Sequence, residues 1–244
     1  MKLVGLTGGI ATGKSTASSH LRTSHHLPIV DADLVARQVV EPDQPAFYSL
    51  VATFGTDIVN PETHALDRAK LGAIVFNDPA ARNRLNGITH PVIRVEMLRQ
   101  VLWAFLKGNR VCILDTPLLF EAGLYKFVSV VIVIAVPVET QKMRLRARDK
   151  CTPADAQSRI DSQMPIAEKC KRADIVIDNS GEAVQTYSQL DRAVADITPN
   201  KLINALWWVA LAGPALGLYG ALGAYLRVKQ WCGQLVRAAS KKRA

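Results

Sequence analysis

Short apolar runs alternate along this chain with longer stretches of helical pattern. Lys2–Thr7 (KLVGLT) is the first run, followed at once by glycines and a helix-like stretch from Gly13. Leu27–Val30 is the second and closes on Asp31-Ala32-Asp33. Arg110–Leu114 (RVCIL) ends at Asp115, and Val128–Val136 (VSVVIVIAV) is β-branched almost throughout. A fifth run, Asp174–Ile177, closes at Asp178-Asn179. Residues 34 to 108 carry a mostly helical pattern, interrupted by Pro42, Pro45, Pro61, Pro79 and Pro91. Continuous apolar runs suit parallel strands covered on both faces by helices. Their alternation with helical segments predicts βαβ units, and so an α/β fold on a doubly wound five-stranded parallel sheet. Ligands of such sheets sit at the carboxyl ends of the strands. Asp31, Asp33, Asp115 and the glycine loop after the first strand all fall at those ends.

That loop has a definite chemistry. Gly8-x4-Gly13-Lys14-Ser15 matches G-x-x-x-x-G-K-[ST] in full, between a strand and a helix. A phosphate chain needs several backbone N–H donors converging on it, so the loop must curl tightly and carry little bulk, which Gly8, Gly9 and Gly13 permit. The helix behind it presents a partial positive charge to the anion. Lys14 is placed to reach the β- and γ-phosphates, and the Ser15 hydroxyl to ligate Mg²⁺. Gly8, Gly9, Ile10, Ala11, Thr12, Gly13, Lys14, Ser15 and Thr16 are therefore the candidate ATP site. A GTPase reading is weak. Asn200-Lys201 is followed by Leu202-Ile203 rather than an NKxD-like base reader, and Asp115-Thr116-Pro117-Leu118 lacks the glycine of a DxxG switch.

Beyond the loop, the chain resembles the dephospho-CoA kinases from Lys2 to about Ala195. The likeness rests on Gly5–Ser15 (GLTGGIATGKS), Asp31–Arg37 (DADLVAR), Leu66–Phe76 (LDRAKLGAIVF), His90-Pro91, Asp115–Glu121 (DTPLLFE) and Arg159–Asn179 (RIDSQMPIAEKCKRADIVIDN), in the family's order. Ala11 stands where the family usually has glycine, a change tolerated if that position is helical or extended. Thr116 replaces a typical small apolar residue. The resemblance implies a P-loop kinase, residues 1–199, that passes the ATP γ-phosphoryl group to the ribose 3′-hydroxyl of dephospho-CoA. Residues 34–108 would hold the coenzyme-binding helices, and about 140–170 a lid.

Catalytic roles fall to Asp33, as acceptor of the hydroxyl proton, and to Lys14. Asp33 has a competing use as N-cap of a helix over Leu34–Val40, and the two roles could be split with Asp31. Asp115 follows an apolar strand and either holds Mg²⁺, through water, or binds substrate. Arg144, Arg146 and Arg148 lie on one stretch, with Arg159 further on. By position Arg148, toward ATP, and Arg159, toward the substrate, resemble lid arginines, with Arg144 a surface residue. Asn179 follows the last strand, where such folds hold the adenine. Arg68, His90 and Arg94 are candidates for the coenzyme side, with His90 equally readable as a helix-start cap. Metal binding by His20, His25, His26 and His64 is not expected, because they show no ligand spacing with acids or cysteines.

Charge and composition refine the picture at the chain's end. Net charge is +9, but residues 227–244 hold six basic residues and no acid, so nine less six leaves only +3 for the rest. A nucleic-acid partner is not expected of so nearly neutral a main unit. The four cysteines, Cys112, Cys151, Cys170 and Cys232, are scattered and read as reduced thiols. The first strand begins at Lys2, which leaves no room for a secretory leader. Leu206–Leu226 runs without a charge. As a helix those residues would span about 31 Å, the thickness of a bilayer core. Trp207-Trp208 and Tyr225 with Trp231 stand where interfacial aromatics belong, and Gly213 and Gly217 form a GxxxG. A transmembrane helix over 204–226 with a basic tail is the expectation, its competitor a helix buried in an oligomer. Pro214 would allow a kinked or re-entrant element with both ends in the cytosol, but the preferred topology is a tail anchor in an organelle membrane, kinase in the cytosol. The competing functions are another nucleoside or nucleotide kinase, and a membrane-tethered nucleotide-binding scaffold.

Overall fold

A computed structural model describes residues 1–199, of which Met1–Thr198 form one compact unit. The transmembrane segment and basic tail expected beyond residue 199 lie outside the described residues. Among the described residues no helix is long and apolar enough to cross a membrane.

Five strands form a parallel sheet: β1 (Lys2–Gly8), β2 (Ile29–Asp31), β3 (Val111–Asp115), β4 (Val130–Ala135) and β5 (Ile175–Asp178), in the order β2-β3-β1-β4-β5. All five apolar runs are strands, with ends moved by one or two residues. Side chains alternate across each strand and feed two separate cores. Val131, Val133, Cys112 and Leu114 join one cluster, while Ile132, Ile134, Val111 and Ile113 join the other.

Helices cover both faces. After β1 comes α1 (Lys14–Ser24), and after β2 come α2 (Ala32–Gln38), α3 (Pro45–Phe54), α4 (Arg68–Asn77) and α5 (Pro79–Leu106). After β4 follow α6 (Val138–Asp149), α7 (Pro153–Asp161) and α8 (Ile166–Lys171), and α9 (Ala183–Ile197) ends the unit. Leu21 of α1 and Leu190, Ala193, Val194 and Ile197 of α9 fill the second core. Thr186, Leu190, Ala193, Val194 and Ile197 are the buried residues of α9, spaced so that one helical stripe faces the sheet.

The prolines act differently from one another. Pro45 and Pro79 open α3 and α5, where a missing N–H costs nothing. Pro91 does not interrupt α5, which continues to Leu106. His90 therefore caps no helix: the cap of α5 is Asp78, whose carboxylate accepts from the Ala80 N–H at 2.7 Å. Pro91 is tolerated because Gly87 and Pro91 are both exposed, so water can reach the carbonyl that loses its helical donor.

Candidate active site

The loop from Gly8 to Ser15 is tied at both ends. Thr12 donates its N–H and its hydroxyl to the Gly9 carbonyl, at 3.3 and 2.9 Å. Gly13, the N-cap of α1, has φ 87, and a Cβ there would collide with Nδ2 of Asn179. Only glycine satisfies both conditions. Ala11 lies at φ 59, so the position is left-handed, and the condition under which alanine would be easily tolerated, a helical or extended backbone, is not met. An L-residue held there costs about 1 kcal/mol, which this loop carries.

Three distant groups brace the loop. The Ile10 N–H donates to Oε1 of Gln163, and Nε2 of Gln141 donates to the Ile10 carbonyl, both at 3.0 Å. Asn179 donates its Nδ2 to the Thr12 carbonyl at 2.8 Å and accepts from the Thr186 hydroxyl at 2.8 Å. Arg144 donates to the Asn179 carbonyl at 3.0 Å and is partly buried, so it is a support of the loop and not the surface residue expected.

Facing the loop, the ends of β2 and β3 lie side by side, with Asp31 paired in register with Asp115. The Asp31 carboxylate accepts from the N–H groups of Asp33 and Leu34, at 2.9 and 3.0 Å, and is the N-cap of α2. The capping role considered for Asp33 thus belongs to Asp31. Asp33 sits in the first turn of α2, exposed, and its carboxylate has no hydrogen-bond partner among the described residues. Lys14 donates to Oδ1 of Asp115 at 2.6 Å. Burial pushes the Asp115 carboxyl above its ordinary value, opposed by Lys14 and the Ser18 hydroxyl and reinforced by Asp31. Lys14, Ser15, Asp31, Asp33 and Asp115 line one open depression of about 370 Å³, joined by Ser18, Arg22 and Arg37.

Other expected residues lie elsewhere. Asp149 binds Arg148 at 2.7 Å and Arg159 at 2.7 Å, which gathers both guanidinium groups at the corner between α6 and α7. Beside them, the loop and the α7–α8 segment enclose a cleft of about 360 Å³ lined by Gly9, Ile10, Gln141 and Gln163. Arg68 lines a mostly apolar groove of about 280 Å³ among α2, α3, α4 and α5, with Val40, Leu50, Leu71 and Leu85. His90 and Arg94 stand one turn apart on α5, both exposed.

The family model for dephospho-CoA kinase (CoaE) matches residues 2–185. The chain belongs to the dephospho-CoA kinase family. It is 44% identical to a dephospho-CoA kinase of Anaeromyxobacter dehalogenans over 81% of this chain and 92% of that one. Identity to the dephospho-CoA kinase of Synechococcus elongatus is 46%, over 80% and 91% of the two chains. Among solved structures, the dephospho-CoA kinase of Campylobacter jejuni aligns with TM-score 0.62 and 29% identity, covering 80% of this chain and 96% of that one.

Several residues of this family member were missed by reasoning from sequence. Gln163, Glu121 and Lys169 all lie inside stretches that carried the resemblance, yet nothing singled them out. The Lys169 side chain is fully buried and joins the Pro117 carbonyl at 2.6 Å to Glu121 at 3.0 Å. Burial would push the Glu121 carboxyl up, but N–H donors from Met164 and Glu121 itself, together with Lys169, hold it below its ordinary value. A buried lysine in a run of lysines and arginines has no signature in sequence. Among the described residues Cys112, Cys151 and Cys170 are free thiols, and burial raises that of Cys112 to about 11.

Proposed function

We propose that this chain transfers the γ-phosphoryl group of ATP to the ribose 3′-hydroxyl of dephospho-CoA, giving coenzyme A. The observation that carries the reading is the convergence of Lys14, Ser15, Asp31, Asp33 and Asp115 on one depression beside the phosphate loop. Phosphoryl transfer asks a protein mainly for positioning and charge stabilisation. The loop and Lys14 hold the donor phosphates, and Asp33 accepts the proton of the attacking hydroxyl. Asp31 fixes the backbone of Asp33 through the cap. Ser15 and Asp115 offer hard oxygen ligands that suit Mg²⁺, which when bound neutralises charge on the phosphate oxygens.

The remaining assignments are parts of the same proposal. Residues 34–108 take the coenzyme, with Arg68, His90 and Arg94 on its side, and residues 140–170 act as a lid. Arg148 and Arg159 reach the phosphates by leaving Asp149, adding positive charge and excluding water. Asn179, which already braces Thr12, borders the adenine. Leu206–Leu226 anchors the chain in an organelle membrane, with the kinase unit in the cytosol and the basic tail following. Its support is the charge-free run and its flanking aromatics.

The test incubates the chain with ATP, Mg²⁺ and dephospho-CoA, or with competing nucleosides and nucleotides, and measures coenzyme A. Turnover of another acceptor with none of dephospho-CoA would reassign the activity to a different small-molecule kinase. Cell fractionation tests the anchor. Recovery wholly in the supernatant would remove it from the proposal.

A further inference from the structure

Two histidines and an aspartate far apart in sequence meet at the C-terminal end of α1. Nε2 of His20 lies 2.8 Å, and Nε2 of His25 2.7 Å, from the same oxygen, Oδ1 of Asp191 on α9. One ligating atom from each of the three lies within 4.8 Å of the others. The rings are held in place. His20 stacks on Tyr187 with centroids 4.2 Å apart and planes 7° from parallel. It meets the edge of His25 at 5.6 Å. Nδ1 of His20 lies 3.2 Å from the Ser24 hydroxyl. The imidazoles are 13% and 24% exposed, while Asp191 is 51% exposed and gives access from solvent.

The chemistry of this trio is that of a metal ligand set. Both contacts to one carboxylate oxygen require an Nε2–H on each ring. A cation at their focus would take the Nε2 lone pair of each ring together with the carboxylate, each ring's proton passing from Nε2 to Nδ1. Two imidazoles and a carboxylate are ligands that zinc uses, leaving a fourth position for water. A hydroxyl on Nδ1 of His20 supplies the outer contact that orients a ligating histidine. The carbonyl end of α1 favours a cation as well. Mg²⁺ prefers oxygen ligands and is a poor match.

We propose that His20, His25 and Asp191 form a binding site for a divalent transition metal, zinc foremost, which clamps the phosphate-binding helix α1 to α9. None of its three ligands lines the depression that holds Lys14, Asp31, Asp33 and Asp115, although His20 and Ser15 border a common groove along α1. Metal in this site ties the last turn of α1 to the element whose Thr186 also steadies Asn179 behind the phosphate loop.

The experiment takes the full chain, strips it with a chelator and keeps it in excess Mg²⁺ so that oxygen-rich sites are filled. Zn²⁺ is then titrated by calorimetry, with thermal unfolding followed in parallel. The wild-type protein binds one tight equivalent and unfolds at a higher temperature. His25→Gln and Asp191→Asn each weaken that equivalent more than ~10-fold and abolish the temperature shift, since even outer contacts of a metal site are worth ~10-fold. His26→Gln, beside the cluster, changes neither. Co²⁺ titration of the wild-type chain gives an independent reading, a weak visible spectrum without a thiolate band. No stoichiometric equivalent, equal binding by wild type and both ligand variants, or an intense thiolate band would each overturn the proposal.

Discussion

Nζ of Lys14 rests 2.6 Å from Oδ1 of Asp115, and the two side chains are only 15% and 3% exposed. This ion pair occupies the centre of the candidate site. The lysine that the phosphate reading assigns to ATP is held by the carboxylate that the same reading assigns to Mg²⁺. Phosphate oxygens would therefore exchange partners with Asp115, and the exchange frees the carboxylate for the metal.

Lys14→Met should lower turnover by ~10²–10³-fold. It should also cost about 3 kcal/mol of stability, because it strands a buried carboxylate. Adding Asp115→Asn should restore most of the stability and none of the activity. Asp115 has a raised value in the folded state, so the folded protein holds the extra proton. Stability then falls as pH rises from the ordinary carboxylate range through that raised value. The fall should steepen in Lys14→Met and vanish from the double variant. Urea unfolding across pH measures all three.

Asp31 and Asp33 should separate cleanly. Asp33→Asn is expected to reduce turnover ~10²–10⁴-fold if it takes the proton, with stability changed by less than about 0.5 kcal/mol. Asp31→Ala should cost about 1 kcal/mol through the lost cap of α2. Single-turnover phosphoryl transfer, set beside unfolding curves, checks the pair. A catalytic loss confined to Asp31 would exchange their roles.

Ala11→Gly should stabilise the protein. Relief at φ 59 is worth about 1 kcal/mol, and the greater freedom of glycine in the unfolded chain returns part of it. A rise of ~1–3 °C in unfolding temperature is expected for a unit of this size. Scanning calorimetry decides. A fall would mean that the alanine methyl makes a contact worth more than the strain.

Lys169→Met should destabilise by about 2–3 kcal/mol, below the full cost of breaking a buried pair because Glu121 is 26% exposed and can hydrate. Turnover should drop as well, since the Pro117 carbonyl, left with the Thr7 hydroxyl alone, and the chain after Asp115 lose one of their anchors. Glu121, held low in the folded state, contributes stability above the ordinary carboxylate range that is lost as pH falls through its lowered value. That acid-side loss should be smaller in Lys169→Met. Denaturant melts at several pH values test it.

The sheet was legible because each strand is a continuous apolar run, four of them closed by glycine or aspartate and β4 by Val136-Pro137, a pattern fixed by burial on both faces. The loop was legible because glycine spacing encodes backbone curvature. What escaped depends on contacts between residues remote in sequence. Arg144 supports Asn179 across 35 positions, and His20 and His25 meet Asp191 across 171 and 166. No spacing rule reaches so far. Pro91 misled for another reason: a proline's effect depends on whether water can serve the carbonyl it orphans, and exposure is a tertiary property. The competition between Asp31 and Asp33 for the cap needed backbone geometry, because one residue of offset decides it.

The place of β1 in the middle of the sheet bears on how the protein is made. The phosphate loop is made before the elements that hold it: β1 pairs with β3 and β4, and the loop's props include Gln141, Gln163 and Asn179. A nascent chain carrying the complete phosphate-loop sequence thus lacks its full set of partners until translation nears α9. Competence to bind nucleotide should arrive late and all at once, so that a stalled or shortened product does not sequester ATP.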